Sequence, residues 1–225
     1  MLIVLEGLDG AGKSTQIKLL RERLTQSGIE SEYLHFPRFD APIYGDLIAR
    51  FLRGELGELN NVNPYLVALL YAGDRADAAS LLNSWMDSGK VVILDRYVYS
   101  NISYQCGKLE GDIARRELSQ WILDLEYNHF NIPRPDISFF LDVPFEFTKR
   151  KLEEQRDGDD RDYLKGKRDI HESSLDLQQS VREVYLSASE VDDALQIINC
   201  VAESGEMESP QNIFDKIWSS VKPLL

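Results

Sequence analysis

The sequence predicts an α/β fold, a parallel sheet assembled from repeated βαβ units, and three observations predict it. Short apolar runs alternate with longer segments of helical patterning. The first run, Met1-Leu2-Ile3-Val4-Leu5, leads directly into GLDGAGKS at residues 7–14, and helix-like apolar spacing follows. The helical segments also carry start and stop signals at their ends.

In chain order, Leu2–Glu6 is the first strand candidate, and a helix is expected from Ser14. Gly28 sits where that helix should be C-capped. Ser31–Phe36 reads as the second strand. Asn63-Pro64 places an N-cap residue before a proline at the first helical position, and Gly89 holds the matching C-cap position. Val91–Asp95 and Ile137–Asp142 are the third and fourth strand candidates. Glu153–Arg168, EEQRDGDDRDYLKGKR, is polar and charge-dense, and by charge alone it reads as a solvated surface loop. Leu195–Val201 is the fifth strand candidate, and Ser209-Pro210 repeats the cap-and-proline signal. There is no internal repeat and no low-complexity linker.

The 225 residues suffice for one α/β domain, so residues 1–225 are read as one unit. Apolar content of 43% and charged content of 28% are ordinary for a soluble globular protein. A net charge of −13 argues against a nucleic-acid polymer or an anionic membrane as partner. Basic residues that meet phosphate must therefore be gathered locally. No apolar run approaches a membrane span, and no signal peptide is visible, so a cytoplasmic setting is expected. Cys106 and Cys200 lack metal spacing and read as buried free thiols.

Gly7, Gly12, Lys13 and Ser14 satisfy G-x-x-x-x-G-K-[ST], with a strand before and a helix after. Glycines let successive N–H groups converge on one anion, and the helix adds its positive end. Lys13 should reach the β- and γ-phosphates of a nucleotide, and the Ser14 hydroxyl should hold Mg²⁺. The loop alone fits a switch, a motor or a kinase. No Asn-Lys-x-Asp segment for reading guanine is present, and the chain is short for a motor. VVILDRY at residues 91–97 is more informative. Asp95, at a strand end, can hold Mg²⁺ or its water shell. Arg96 has no obvious use in a water-activating site, but a second anion on an acceptor would need it.

The stretches EGLDGAGKSTQ, FPRFD, LLYAGDRADAA and LDRYVYSNISYQ, with the arginine-rich 153–168 segment, resemble thymidylate kinases across nearly the whole chain. The resemblance implies transfer of the γ-phosphate of ATP to dTMP. It also implies a three-layer αβα P-loop fold with a five-stranded parallel sheet and a mobile lid at about residues 153–171. On it, Gly7, Leu8, Asp9, Gly10, Ala11, Gly12, Lys13, Ser14 and Thr15 bind ATP. Asp9 meets the sugar hydroxyl or the metal, Arg38 and Arg96 grip the acceptor phosphate, and Phe36 lies beside them. Tyr71 stacks on thymine, Arg75 and Asn101 address the base edge, and Tyr104 sits against the sugar. Ser14, Asp95, Asp9 and Glu172 are the expected Mg²⁺ residues. The family is usually homodimeric, and the apolar helix between Asn63 and Ser88 is the candidate interface.

Chemistry agrees with these roles. A guanidinium donates to O4 of thymine but meets another donor on cytosine, at a cost of about 1–3 kcal/mol. An aromatic ring stacks on any base and supplies affinity. A bulky Tyr104 under C2′ excludes a ribose hydroxyl by clash. Some family members carry an arginine where this chain has Gly10. That charge is expected from Arg156, Arg161 or Arg168 of the lid, with Arg161 and Arg168 favoured as catalytic beside Lys13 and Arg96. His171, where related enzymes often have tyrosine, reads either as a residue that closes over the substrate or as a helix-start residue without a catalytic part.

Overall fold

Alternation along the first strand decides the layering. In β1 (Leu2–Gly7), Leu2 and Val4 pack into one buried cluster, and Ile3 and Leu5 into another. Every residue of the strand is buried, as expected of a central strand covered on both faces. The computed structural model describes residues 1–59, 61–153, 159–167, 169–172 and 174–225, with backbone only for residues 153 and 159–161.

Five strands, β1, β2 (Ser31–His35), β3 (Val91–Asp95), β4 (Ile137–Asp142) and β5 (Leu195–Asn199), form one sheet in the order β2-β3-β1-β4-β5. All four pairings are parallel. Helices α1 (Lys13–Gln26) and α8 (Pro210–Val221) cover one face through Ile17, Leu20, Leu24, Ile213, Phe214 and Ile217. Helices α3 (Pro64–Asp87), α4 (Val98–Cys106), α5 (Asp112–Leu123) and α7 (Leu175–Ser189) cover the other. Each large aliphatic side chain buried this way contributes about 1.5–3 kcal/mol. The short α2 (Tyr44–Leu52) builds a third cluster from Ile48, Phe51 and Leu52 with Val67 of α3. α6 (Phe145–Glu153) leads to the 159–172 segment, where Asp159–Leu164 forms a 3₁₀ turn.

The three-layer expectation holds, and the strand boundaries move only slightly. β2 stops at His35, because the Phe36–Pro37 step removes a ladder donor. β5 stops at Asn199, and Val201 instead forms an isolated antiparallel bridge with Met207. α1 begins at Lys13, one residue before the expected Ser14. Asn63 Oδ1 accepts from Tyr65 N, and Ser209 Oγ accepts from Asn212 N, so both capping signals act as read. Gly28 and Gly89 take φ of +72° and +80° just past α1 and α3. A π-helical turn at Asp124–His129, extending α5, carries no pattern in the sequence.

Candidate active site

The C-terminal ends of β1 and β3 lie side by side, with Leu5 in register with Asp95. Open parallel sheets bind ligands at that edge. A cavity of about 1540 Å³ runs along it. Its walls come from the glycine loop, Tyr33–Asp40, α3, α4, residues from Asp162 to Glu172, and Met207–Pro210.

Gly12 takes φ +86° immediately before α1, a left-handed conformation that residues with a Cβ resist. The helix N-terminus therefore opens into the cavity, where it favours an anion. Lys13 is buried, and its Nζ donates to the carbonyls of Gly7 at 3.3 Å and Leu8 at 3.2 Å. Burial and the neighbouring Arg96 charge pull the Lys13 pKa down, against Asp95 and Asp9. Asp95 Oδ1 lies 3.9 Å from Lys13 Nζ and accepts no hydrogen bond. Burial would raise the Asp95 pKa, but Lys13 and His35 hold it below the ordinary value.

Arg96 follows β3 directly and adopts φ +69°, unusual for arginine and typical of constrained functional positions. Its Nη2 donates to Asp9 Oδ1 at 2.7 Å, and Nη1 to Ser100 Oγ at 3.2 Å. Asp9 Oδ2 accepts from the Tyr104 hydroxyl at 2.7 Å and Gln178 Nε2 at 3.3 Å. Burial pushes the Asp9 pKa up, yet Arg96 and Lys13 outweigh it and hold the carboxyl ionised. Beneath this group lies Glu6, fully buried, accepting from Tyr97 N, Ser100 N, Ser100 Oγ and Tyr185. Burial raises its pKa despite these donors and Arg96.

The far wall is built from α3 and α4. Arg38 donates from N and Nε to the Asp74 carboxylate, each at 2.9 Å. Its Nη2 reaches Asp74 O at 2.8 Å and Asp77 Oδ2 at 2.7 Å. A Cβ on Gly45 would come within 2.4 Å of Arg38 O, so α2 presses directly on this segment. Arg75, 2% exposed, forms a two-bond pair with Glu126 at 2.5 and 2.7 Å. Asn101 Nδ2 donates to Glu126 Oε1 and to Ala68 O. Tyr71 lines the same cavity, and Tyr104 stacks on His171 with centroids 4.9 Å apart.

The 159–172 segment docks on α2. Arg53 donates to Tyr163 O at 2.6 Å, Ile170 N to Leu52 O at 3.0 Å, and Tyr163 stacks on Phe39 at 3.7 Å. Asp169 accepts from Tyr163 Oη and from His171 N. Burial, with Asp9 and Glu172 nearby, pushes its pKa up to about 7. Burial lowers His171, aided by Lys108, so the imidazole is neutral.

The structure thus gathers Asp9 through Thr15, Phe36, Arg38, Tyr71, Arg75, Asp95, Arg96, Asn101, Tyr104, His171 and Glu172 around one cavity. Gly7 and Leu8 do not line it but hold Lys13 through their carbonyls. Arg38, expected to grip the acceptor phosphate, is held by the carboxylates of Asp74 and Asp77. Asp9, expected to meet the sugar hydroxyl or the metal, accepts from Arg96, Tyr104 and Gln178. Arg156 and Arg168 lie outside the described residues, as does the side chain of Arg161. Sequence reasoning missed Glu6, Asp74, Asp77, Glu126, Asp169 and Gln178. Glu6 alone had a local signal, a charge ending an otherwise apolar strand.

Comparison with known proteins agrees. The family model described as thymidylate kinase matches residues 5–210. A probable thymidylate kinase of Thermococcus kodakarensis is 35% identical over 230 residues, covering 100% of this chain and 98% of its own. A thymidylate kinase of Mycobacterium tuberculosis is 35% identical over 185 residues, 82% of this chain and 84% of the relative. Among solved structures, a thymidylate kinase of Candida albicans superposes with a TM-score of 0.73 at 23% identity, covering 99% of this chain and 91% of that one, which shows a shared fold. By sequence, fold and the family match over nearly its whole length, this chain belongs to the thymidylate kinase family.

Proposed function

We propose that the cavity is where this kinase moves the γ-phosphoryl group of ATP onto the phosphate of dTMP, giving dTDP and ADP. One observation carries the reading: the α1 N-terminus with Lys13 lines the same cavity as a second set of cations, Arg96 and Arg38. Two anions can therefore be held facing each other. A dTMP phosphate oxygen attacks Pγ, and the bond from Pγ to the bridging oxygen of ADP breaks. The attacking oxygen carries no proton to remove, so no general base is needed, and catalysis rests on alignment and charge neutralisation.

Within that reading, Lys13 bridges the β- and γ-phosphates and Arg96 holds the acceptor phosphate with Arg38. Tyr71 stacks on the base, with Arg75 and Asn101 at its edge. Ser14, exposed in the first turn of α1, and Asp95, with a buried oxygen lacking a hydrogen bond, form a hard-oxygen pair suited to Mg²⁺. Among the described residues no group of three or more His, Cys, Asp or Glu side chains is placed to hold a metal ion, so the ion proposed here is one held jointly with nucleotide phosphates. Bound there, Mg²⁺ would neutralise charge developing on the phosphates. Asp9 and Glu172 serve as outer partners. The lid arginines Arg156, Arg161 and Arg168 supply the charge that Gly10 lacks, and the docked segment excludes water.

The protein works as a homodimer through α3. Its exposed face carries Tyr65, Leu66, Leu69 and Leu81, and Tyr65 meets Trp121 of α5 edge-on at 5.0 Å. Among the described residues no helix is long and apolar enough to cross a membrane, and a cytoplasmic setting is part of the proposal. An ADP-release assay with a panel of monophosphates tests the reading. The expected order is dTMP, then dUMP, then dCMP. A slow basal ATPase that no monophosphate stimulates would instead support a switch that acts on a protein partner.

A further inference from the structure

Arg75 and Asn101 come from different helices, yet one carboxylate holds both. Glu126, in the π-helical turn after α5, is fully buried. Its Oε2 accepts from Arg75 Nε, and its Oε1 accepts from Arg75 Nη2 and Asn101 Nδ2. The second Asn101 Nδ2 hydrogen goes to Ala68 O at 3.0 Å. Both partners of Nδ2 are pure acceptors, a backbone carbonyl and a carboxylate paired with a guanidinium. The amide therefore has one orientation, and Asn101 Oδ1 is left buried and without a hydrogen bond. On the other side, the pair with Glu126 uses Arg75 Nε and Nη2 and leaves Nη1 as a donor. What the two side chains still offer is N–H donors on Arg75, with Nη1 wholly unused by Glu126, and one acceptor, Asn101 Oδ1.

That pattern complements O4 and N3–H of a thymine or uracil ring. Cytosine presents the reverse, an amino donor and an N3 acceptor. We infer that Glu126 is a specificity-setting positioning residue: by accepting from both Arg75 and Asn101 it fixes the polarity with which they read the acceptor base. Glu126 touches no substrate itself. The inference rests on the proposed acceptor site, where the base lies against Arg75 and Asn101.

The discriminating variant is Glu126→Gln, which keeps the shape but turns one acceptor into a donor. With an amide at this position one of the two Arg75 donors meets another donor, so the guanidinium loses its two-bond pair and Nη1 leaves the base edge, while Ala68 O still holds Asn101 Nδ2. The experiment mixes dTMP and dCMP in one tube and follows both diphosphates, for the parent, Glu126→Gln and Glu126→Asp. The product ratio gives relative kcat/KM and does not depend on how much variant folds. The dTMP preference should fall about tenfold or more in Glu126→Gln, the scale of one mispaired buried group. Glu126→Asp, which retains two acceptors, should keep most of it. A parent-like ratio in Glu126→Gln would overturn the role of Glu126. A parent that itself shows no preference for dTMP would instead overturn the acceptor-site reading.

Discussion

At the scale of single residues, Arg38 is the side chain whose partners say most about affinity. Asp74 is almost fully buried and holds both the Arg38 backbone N–H and Nε, so it positions the chain. Asp77 is half exposed and adds only a bond to Nη2. Exposed pairs of this kind contribute about 0–1 kcal/mol, but the second carboxylate also opposes an incoming phosphate dianion. Asp77→Asn should lower KM for dTMP about two- to fivefold at low salt with kcat unchanged, and the gain should shrink as salt screens it. A rise in KM would show that Asp77 holds Arg38 in place. Neither acid was legible in advance, because a pairing 36 or 39 residues away leaves no local pattern. Tyr104 was legible, but its hydroxyl partner Asp9 was not. The ring and the hydroxyl can be separated. Tyr104→Ala should improve use of ribothymidine monophosphate relative to dTMP by about tenfold, a steric effect worth about 1.4 kcal/mol. Tyr104→Phe should leave that ratio unchanged. Equal losses on both substrates in Tyr104→Ala would reduce the ring to packing.

At the scale of elements, the 159–172 segment couples docking to a buried carboxyl. Asp169 titrates near 7 from an ordinary 3.8, so the folded protein keeps a proton that the unfolded chain releases. Its contribution to stability is present below about pH 4 and is lost as pH rises through about 7. Lys108 runs the opposite way. Burial lowers it from 10.5 to about 7, so its contribution recovers between about 7 and 10. Urea midpoints measured at about pH 5 and 7 should therefore fall in the parent and fall less in Asp169→Asn. Identical slopes would remove Asp169 from the docking account. The strands, the two capped helices and the phosphate loop were readable because each depends on neighbours in sequence: alternation, a cap before proline, glycines at positive φ. The π-helical turn and the docking of the 159–172 segment on α2 were not, because they arise from contacts between distant segments. Polarity reads the 153–168 segment as a loop, and among its described residues Asp159–Leu164 forms a 3₁₀ turn. It could not show Tyr163 stacking on Phe39, which ties this segment to the chain next to Arg38.

At the scale of the whole molecule, a strongly acidic chain concentrates Lys13, Arg38, Arg75 and Arg96 in one cavity at the edge of its sheet. The three-layer fold makes this possible by bringing the ends of β1 and β3 together. The exposed apolar face of α3 sits outside that cavity, so assembly and catalysis can be tested apart. The double variant Leu66→Glu with Leu69→Glu should convert the proposed dimer to monomers in sedimentation, since buried like charges cost several kcal/mol. An unchanged mass would place the interface elsewhere. The central claim is that dTMP lies with its phosphate between Arg38 and Arg96 and its base edge on Arg75 and Asn101. The most direct measurement is a crystal structure with dTMP bound. It should show O4 within hydrogen-bond distance of Arg75 Nη1 and N3–H donating to Asn101 Oδ1, with the Arg75–Glu126 pair intact. A base edge turned away from both residues, or a phosphate held by neither arginine, would contradict the account.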